Sequence, residues 1–208
     1  MSLEKYKQVI DEDFTKDADF IDKTIKNLSL DKSSKILDIG TGLGAMSILL
    51  ALNGFNVLTG QPKEDPEWEE NKKHHCKHEH EHHHHGFAMS DWKEKARAVG
   101  VEDKIKFQYL NAESLTFPDD SFDAIFMYDT LQYIKNREGA LNECLRVLKL
   151  SGLICIIEWN ENSIKDTEEK YGSTIDYIDP RKILNREDIS IELIEGKLVN
   201  IFILRKNY

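Results

Sequence analysis

The chain has 208 residues, of which 40% are hydrophobic and 32% charged, so it is long enough for one domain with a sizeable core. Its net charge of -10, with histidines neutral, argues against a nucleic-acid backbone as partner. No apolar run approaches the roughly 18 residues of a membrane span, and no signal peptide is visible, so the expectation is a cytoplasmic protein with no membrane partner.

Residues 3 to 28 read as one or two amphipathic helices, with Phe14, Phe20, Ile21, Ile25 and Leu28 at helical spacing. Then "KILDI" reads as a strand, "GTGLG" as a glycine-rich turn, "AMSILLALNG" as a helix closed by Gly54, and "FNVLTG" as a second strand. A polar stretch at residues 61 to 90 breaks the rhythm. Regular elements resume at "DWKEKARAVG", where Asp91 and Glu94 have the spacing of a capping box. "IKFQYL", "FDAIFMY" and "LICIIEW" are predicted strands, with a helix from about 137 to 149 before the last. "ISIELIEGKLVNIFILRK" reads as a closing antiparallel hairpin. These elements predict a single domain over residues 1 to 208. Its parts are an N-terminal helical segment at 1–30 and a polar, histidine-rich insertion at 62–90.

Asp38-Ile39-Gly40-Thr41-Gly42-Leu43-Gly44 is the most legible motif. Glycines let a backbone turn tightly and approach a ligand, and a helix N-terminus offers free N–H groups. The third glycine falls one residue too early for the pyrophosphate fingerprint of dinucleotide-binding folds. A carboxylate two residues before the first glycine would also repel a pyrophosphate and suit a cationic ligand.

"ILDIGTGLG", "NAESLTFPDDSFDAIFMYDTLQYI" and "LNECLRVLKLSGLICIIEW", followed by the hairpin, resemble the class I S-adenosylmethionine-dependent methyltransferases over roughly residues 33 to 160. The resemblance implies an α/β fold, a Rossmann-like sandwich whose seven-stranded, mostly parallel sheet ends in an antiparallel C-terminal hairpin and carries helices on both faces. It also implies an enzyme that uses S-adenosyl-L-methionine. Carried over residue by residue, Gly40, Thr41, Gly42 and Gly44 would make room for the cofactor's amino-acid moiety, with Asp38 setting the polarity near its ammonium. Gln61 stands where the family has the acidic residue that accepts from the ribose hydroxyls, or Pro62 does if the register slips by one. Asn111 would face the adenine amino group or else simply end a strand, and Ala112 would offer its N–H to the ring. Tyr128 falls where methyl group and acceptor meet, and Asp129 is the one ionisable residue nominated as a base. Substrate contacts are expected among Tyr128, Asp129, Gln132, Trp159 and Asn160. Cys144 and Cys155 read as core thiols.

All eight histidines and Cys76 lie within "HHCKHEHEHHHH", residues 74 to 85. Neutral imidazole suits Zn2+, Cu2+, Ni2+ and Co2+. As a helix, His74, His78 and His82 would share a face; as a strand, His78, His80, His82 and His84 would do so. His75, Cys76, His83 and His85 complete the candidate ligands. The irregular spacing fits a labile site with variable stoichiometry rather than a closed zinc site. The expected partners are therefore a small-molecule substrate and a divalent transition metal, the latter regulating a methyltransferase. A second reading stays open: a non-catalytic metal sensor, buffer or chaperone on a degenerate methyltransferase fold.

Overall fold

The computed structural model describes residues 3–10, 12–63, 91–172 and 175–207. Seven strands form one sheet: β1 (Ile36–Ile39), β2 (Val57–Gln61), β3 (Ile105–Tyr109), β4 (Phe122–Tyr128), β5 (Leu148–Trp159), β6 (Ile189–Glu195) and β7 (Val199–Lys206). Their order is β3-β2-β1-β4-β5-β7-β6. The pairs from β3 through β5 are all parallel, while β7 pairs antiparallel with both β5 and β6. This is the expected sheet, hairpin included. The order reverses beside β1, and in open parallel sheets ligands bind at such a switch point, beyond the carboxyl ends of the strands.

The central strands are apolar without alternation because both faces of the sheet are covered. Ile36, Ala124, Phe126, Cys155 and Ile157 belong to one buried layer, and Leu37, Ile39, Ile125, Met127, Ile154 and Ile156 to the other. Cys144 and Cys155 are fully enclosed, and burial raises both thiols well above their ordinary range. They are core residues.

The N-terminal segment forms three helices, α1 (Leu3–Val9), α2 (Glu12–Thr15) and α3 (Ala18–Asn27), where one or two were expected. Helix α4 (Ala45–Leu52) is buried at every position from Ala45 to Ala51, which fits its nearly all-apolar sequence. Helix α5 spans Asp91–Ala98. Helix α6 (Arg137–Val147) stops two residues short of the expected end because β5 already starts at Leu148. Asn136 caps α6, its Oδ1 accepting the Gly139 N–H at 2.9 Å. Two helices, α7 (Glu161–Tyr171) and α8 (Pro180–Ile183), fill the connection from β5 to β6. Among the described residues no helix is long and apolar enough to cross a membrane.

Candidate functional site at the carboxyl edge

The turn between β1 and α4 has positive φ at all three glycines: +93° at Gly40, +46° at Gly42 and +80° at Gly44. The three differ in what surrounds them. A Cβ on Gly40 would overlap the side chain of Thr130, and one on Gly44 would lie 2.8 Å from the Cβ of Trp92. Among the described residues nothing lies within 4 Å of a Cβ on Gly42. The described residues thus leave room beside Gly42 and fill it beside Gly40 and Gly44. Gly40 and Gly44 are small because protein packs against them.

Asp38 lies beneath this turn and is fully buried. One carboxylate oxygen accepts from the hydroxyls of Ser47, on α4, and Thr59, on β2, the latter at 2.9 Å. The other has no partner among the described residues. Burial pushes the Asp38 carboxyl up to about 7, against the two hydroxyl bonds. Thr41 continues the link, its hydroxyl lying 2.9 Å from that of Thr59. Tyr6 reaches under the same turn from α1 and donates its hydroxyl to Ala45 O at 3.0 Å. Burial, then the nearby Asp38, raises the Tyr6 phenol well above its usual range.

Gln61 is the last residue of β2, paired with Tyr109, and Pro62 lies just beyond the strand. Its Oε1 accepts the Gly42 N–H at 3.0 Å. Asn111 is exposed, and its Oδ1 accepts the Glu113 N–H at 2.9 Å, which makes it a turn-forming residue at the end of β3. Ala112, beside it, is buried.

On the other side of β1, Tyr128 is half-buried, with the ring of Phe14 edge-on at 5.1 Å between centroids. Asp129 follows in the left-handed region at φ +51°. Its carboxylate accepts from Gln132 and from the Trp159 indole, and burial pushes it upward in pKa against both bonds. Asn160 is committed elsewhere. Its Oδ1 caps α7 through the Ser163 N–H at 2.9 Å, and its amide donates to Gly196 O and Lys197 O. That corrects the expectation of a substrate contact there. Of the residues nominated from sequence, Asp38, Thr41, Gln61, Tyr128, Asp129, Gln132 and Trp159 gather around the glycine turn and the adjacent strand ends.

The structure adds three residues that the sequence reading did not single out. Trp92 packs on Gly44, Thr130 on Gly40, and Glu158 lies 2% exposed behind Asp129. Glu158 alone left a signal, as the one charge in the apolar run "LICIIEW". His74, His75, Cys76, His78, His80, His82, His83, His84 and His85 lie outside the described residues, and among those described no three His, Cys, Asp or Glu side chains are grouped to hold a metal.

A buried carboxylate oxygen without a partner among the described residues, two residues before the first glycine of the turn, suits a ligand that carries positive charge. It disfavours a pyrophosphate, and S-adenosylmethionine, with its ammonium and sulfonium, fits that requirement. Strand order, hairpin and glycine turn together define a class I, Rossmann-like methyltransferase architecture. Residues 37–156 match the family model described as a methyltransferase domain, and the chain belongs to that family. A ubiquinone/menaquinone biosynthesis C-methyltransferase UbiE from Citrobacter koseri is 35% identical over 89 residues, and one from Enterobacter sp. is 33% identical over the same length. These matches cover 43% of this chain and 36% of each relative, so the chain matches about a third of their length. Among solved structures, a SAM-dependent methyltransferase from Aquifex aeolicus shares the fold at TM-score 0.59 and 18% identity, covering 98% of both chains. A protein of Methanococcus maripaludis assigned to the S-adenosyl-L-methionine-dependent methyltransferases shares it at TM-score 0.63 and 18% identity, over 94% of this chain and 87% of the other.

Proposed function

We propose that the protein transfers a methyl group from S-adenosylmethionine to a small-molecule acceptor. The observation that carries this reading is the glycine turn itself, which among the described residues has space beside Gly42 and follows an Asp38 with one buried, unpartnered carboxylate oxygen. When bound there, the cofactor supplies an electrophilic methyl carbon on a sulfonium. Asp38, held by Ser47 and Thr59, orients the turn and offers charge complementary to the ligand. Gln61 presents a neutral amide where the family resemblance implies a carboxylate, so its hydroxyl bonds are weaker. Tyr128 and Phe14 wall the acceptor side and exclude water. Asp129 is the group there that can take up a proton. The similarity to C-methyltransferases that carry quinone-biosynthesis names supports a carbon acceptor.

The second part of the proposal concerns residues 74–85. Their composition supports binding of Ni2+, Zn2+ or Co2+ by His74, His75, Cys76, His78, His80, His82, His83, His84 and His85. Regulation is supported by the residues that flank the insertion. Gln61 bonds to Gly42 just before it, and Trp92 packs on Gly44 just after it. Residues flanking the insertion on both sides thus meet the glycine turn, and a metal that draws its ligands together acts on that turn.

Calorimetric titration of metal-free protein with S-adenosylmethionine, repeated with each ion, tests both parts. Micromolar cofactor binding that shifts with metal is expected. Equal affinity with and without saturating Ni2+ or Zn2+ removes the regulatory part. Tight metal binding with no cofactor binding under any condition leaves the sensor or chaperone reading.

A further inference from the structure

The turn after β4 has more anchors than its length requires. A non-glycine residue in the left-handed region costs about 1–2 kcal/mol and persists where its surroundings enforce it. Asp129 donates its N–H to Ile157 O at 2.9 Å. The next two N–H groups, from Thr130 and Leu131, converge on one oxygen, Glu158 Oε1, at 3.1 and 2.8 Å. The Thr130 hydroxyl lies 3.1 Å from Ile39 O and 2.9 Å from Tyr128 O, in the space a side chain on Gly40 would need. Glu158 therefore holds both the turn that carries Asp129 and, through Thr130, the first glycine of the ligand turn.

An amide oxygen would accept the same two N–H groups without the cost of burying a charge. A carboxyl adds one property that an amide lacks, the capacity to hold a proton. No cation is hydrogen-bonded to Glu158 among the described residues. The nearest, Arg137, donates to Leu131 O, Gln132 O and Asp176. The groups facing Asp129 are Glu158 and Trp159 from β5 and Gln132 and Tyr133 from the turn. Those facing Glu158 are Asp129, Tyr133 and Arg137. Two carboxyls enclosed together cannot both ionise cheaply. Burial, then the charge on Asp129, pushes Glu158 up to about 8.

We propose that Glu158 is a positioning residue for methyl transfer: through the Thr130 and Leu131 N–H groups it holds the turn that presents Asp129, so that Asp129 can take the proton an acceptor loses as it attacks. In that step the acceptor atom bonds to the methyl carbon as the carbon–sulfur bond breaks. The electron pair stays on sulfur, and the acceptor's proton passes to Asp129. The positive charge of the sulfonium and the negative charge of the carboxylate are both neutralised. This inference rests on the methyltransferase reading above, and it assigns the acceptor to nucleophiles that lose a proton.

Thermal midpoints of the ligand-free protein between pH 4.5 and 9 test it, for wild type, Glu158→Gln, Asp129→Asn and the double variant, with S-adenosylhomocysteine affinity measured alongside. Glu158 holds a proton when folded that it releases when unfolded, so wild-type stability falls as pH rises through the interval from about 5 to about 8. Glu158→Gln removes the upper part of that fall. Asp129→Asn, by deleting the like charge, moves its inflection down by about one pH unit. The double variant loses, beyond Glu158→Gln, the part of the fall owed to Asp129 itself. Affinity stays within about twofold in Glu158→Gln and drops about tenfold in Glu158→Ala, which also loses the acceptor for two N–H groups. A Glu158→Gln curve that overlays wild type, or an inflection unmoved in Asp129→Asn, overturns the coupling of the two carboxyls. Wild-type affinity in Glu158→Ala overturns the positioning. A wild-type protein that binds no S-adenosylhomocysteine refutes the methyltransferase reading instead, and the pH curves still decide the pair.

Discussion

Thr130 occupies the space that a side chain on Gly40 would need. One residue on the β4 turn thereby sets the identity of another on the β1 turn, 90 positions earlier in the chain. Gly42, two residues on, has no such neighbour.

The two glycines should therefore fail differently. Gly40→Ala combines a φ of +93° with overlap on Thr130, and is expected to lose about 2–4 kcal/mol of stability. Gly42→Ala meets no atom of the described residues and should lose about 1 kcal/mol, yet lose S-adenosylhomocysteine binding by an order of magnitude or more. Thermal melts and calorimetry on both variants check this. Equal binding losses at equal stability would show that the open face is not where the ligand sits.

Gln61→Glu restores a carboxylate at the end of β2 while keeping an oxygen for the Gly42 N–H. A charged acceptor gains about 1 kcal/mol over a neutral one, so cofactor affinity should rise about fivefold. Gln61→Ala removes the acceptor and should weaken binding by a similar factor. If Gln61→Glu binds no tighter, the ribose hydroxyls do not reach this side chain.

Asp38 imposes a pH dependence of its own. Its folded value, about 7, lies above the unfolded carboxylate value, so its protonated form favours the native state. Stability attributable to Asp38 is complete below about pH 4 and is lost as pH rises through 7. Asp38→Asn should flatten the denaturation midpoint between pH 4 and 7 while leaving the portion owed to Glu158. An unchanged slope would mean that the carboxyl remains ionised in the folded protein.

Tyr6→Phe deletes one buried hydrogen bond, to Ala45 O, and should cost about 1 kcal/mol. Hydrogen exchange should then rise in α1 and in the first turn of α4 together, since that bond joins them. Loss confined to α1 would show that the glycine turn does not depend on the N-terminal helices.

The sheet was legible because each strand carried its own short apolar run, and "ILDIGTGLG" marked the switch point before any contact was known. Gln61 was found the same way, by counting along a strand. The roles of Asn160 and Glu158 were not legible. Asn160 caps a helix and ties down the β6–β7 turn some 36 residues later, and no local pattern records such a contact. Glu158 looked like an ordinary interruption of an apolar run, because its meaning lies in two N–H groups in the turn that follows the neighbouring strand. Gly40 and Gly44 looked like ligand room for the same reason. A sequence shows that a residue is small, but not whether protein or ligand fills the space beside it.

Trp92 stacks loosely on Phe107, 6.3 Å between ring centroids, while its backbone side closes on Gly44. Trp159 hydrogen-bonds Asp129 on the far side of the same edge. Of the three tryptophans in the chain, these two therefore bracket the site from opposite flanks. The protein carries a pair of optical reporters, one tuned to the glycine turn and one to the proton on Asp129. With Trp68→Phe as background, and each of the two replaced in turn, emission can resolve which flank responds to a titrant without any added label.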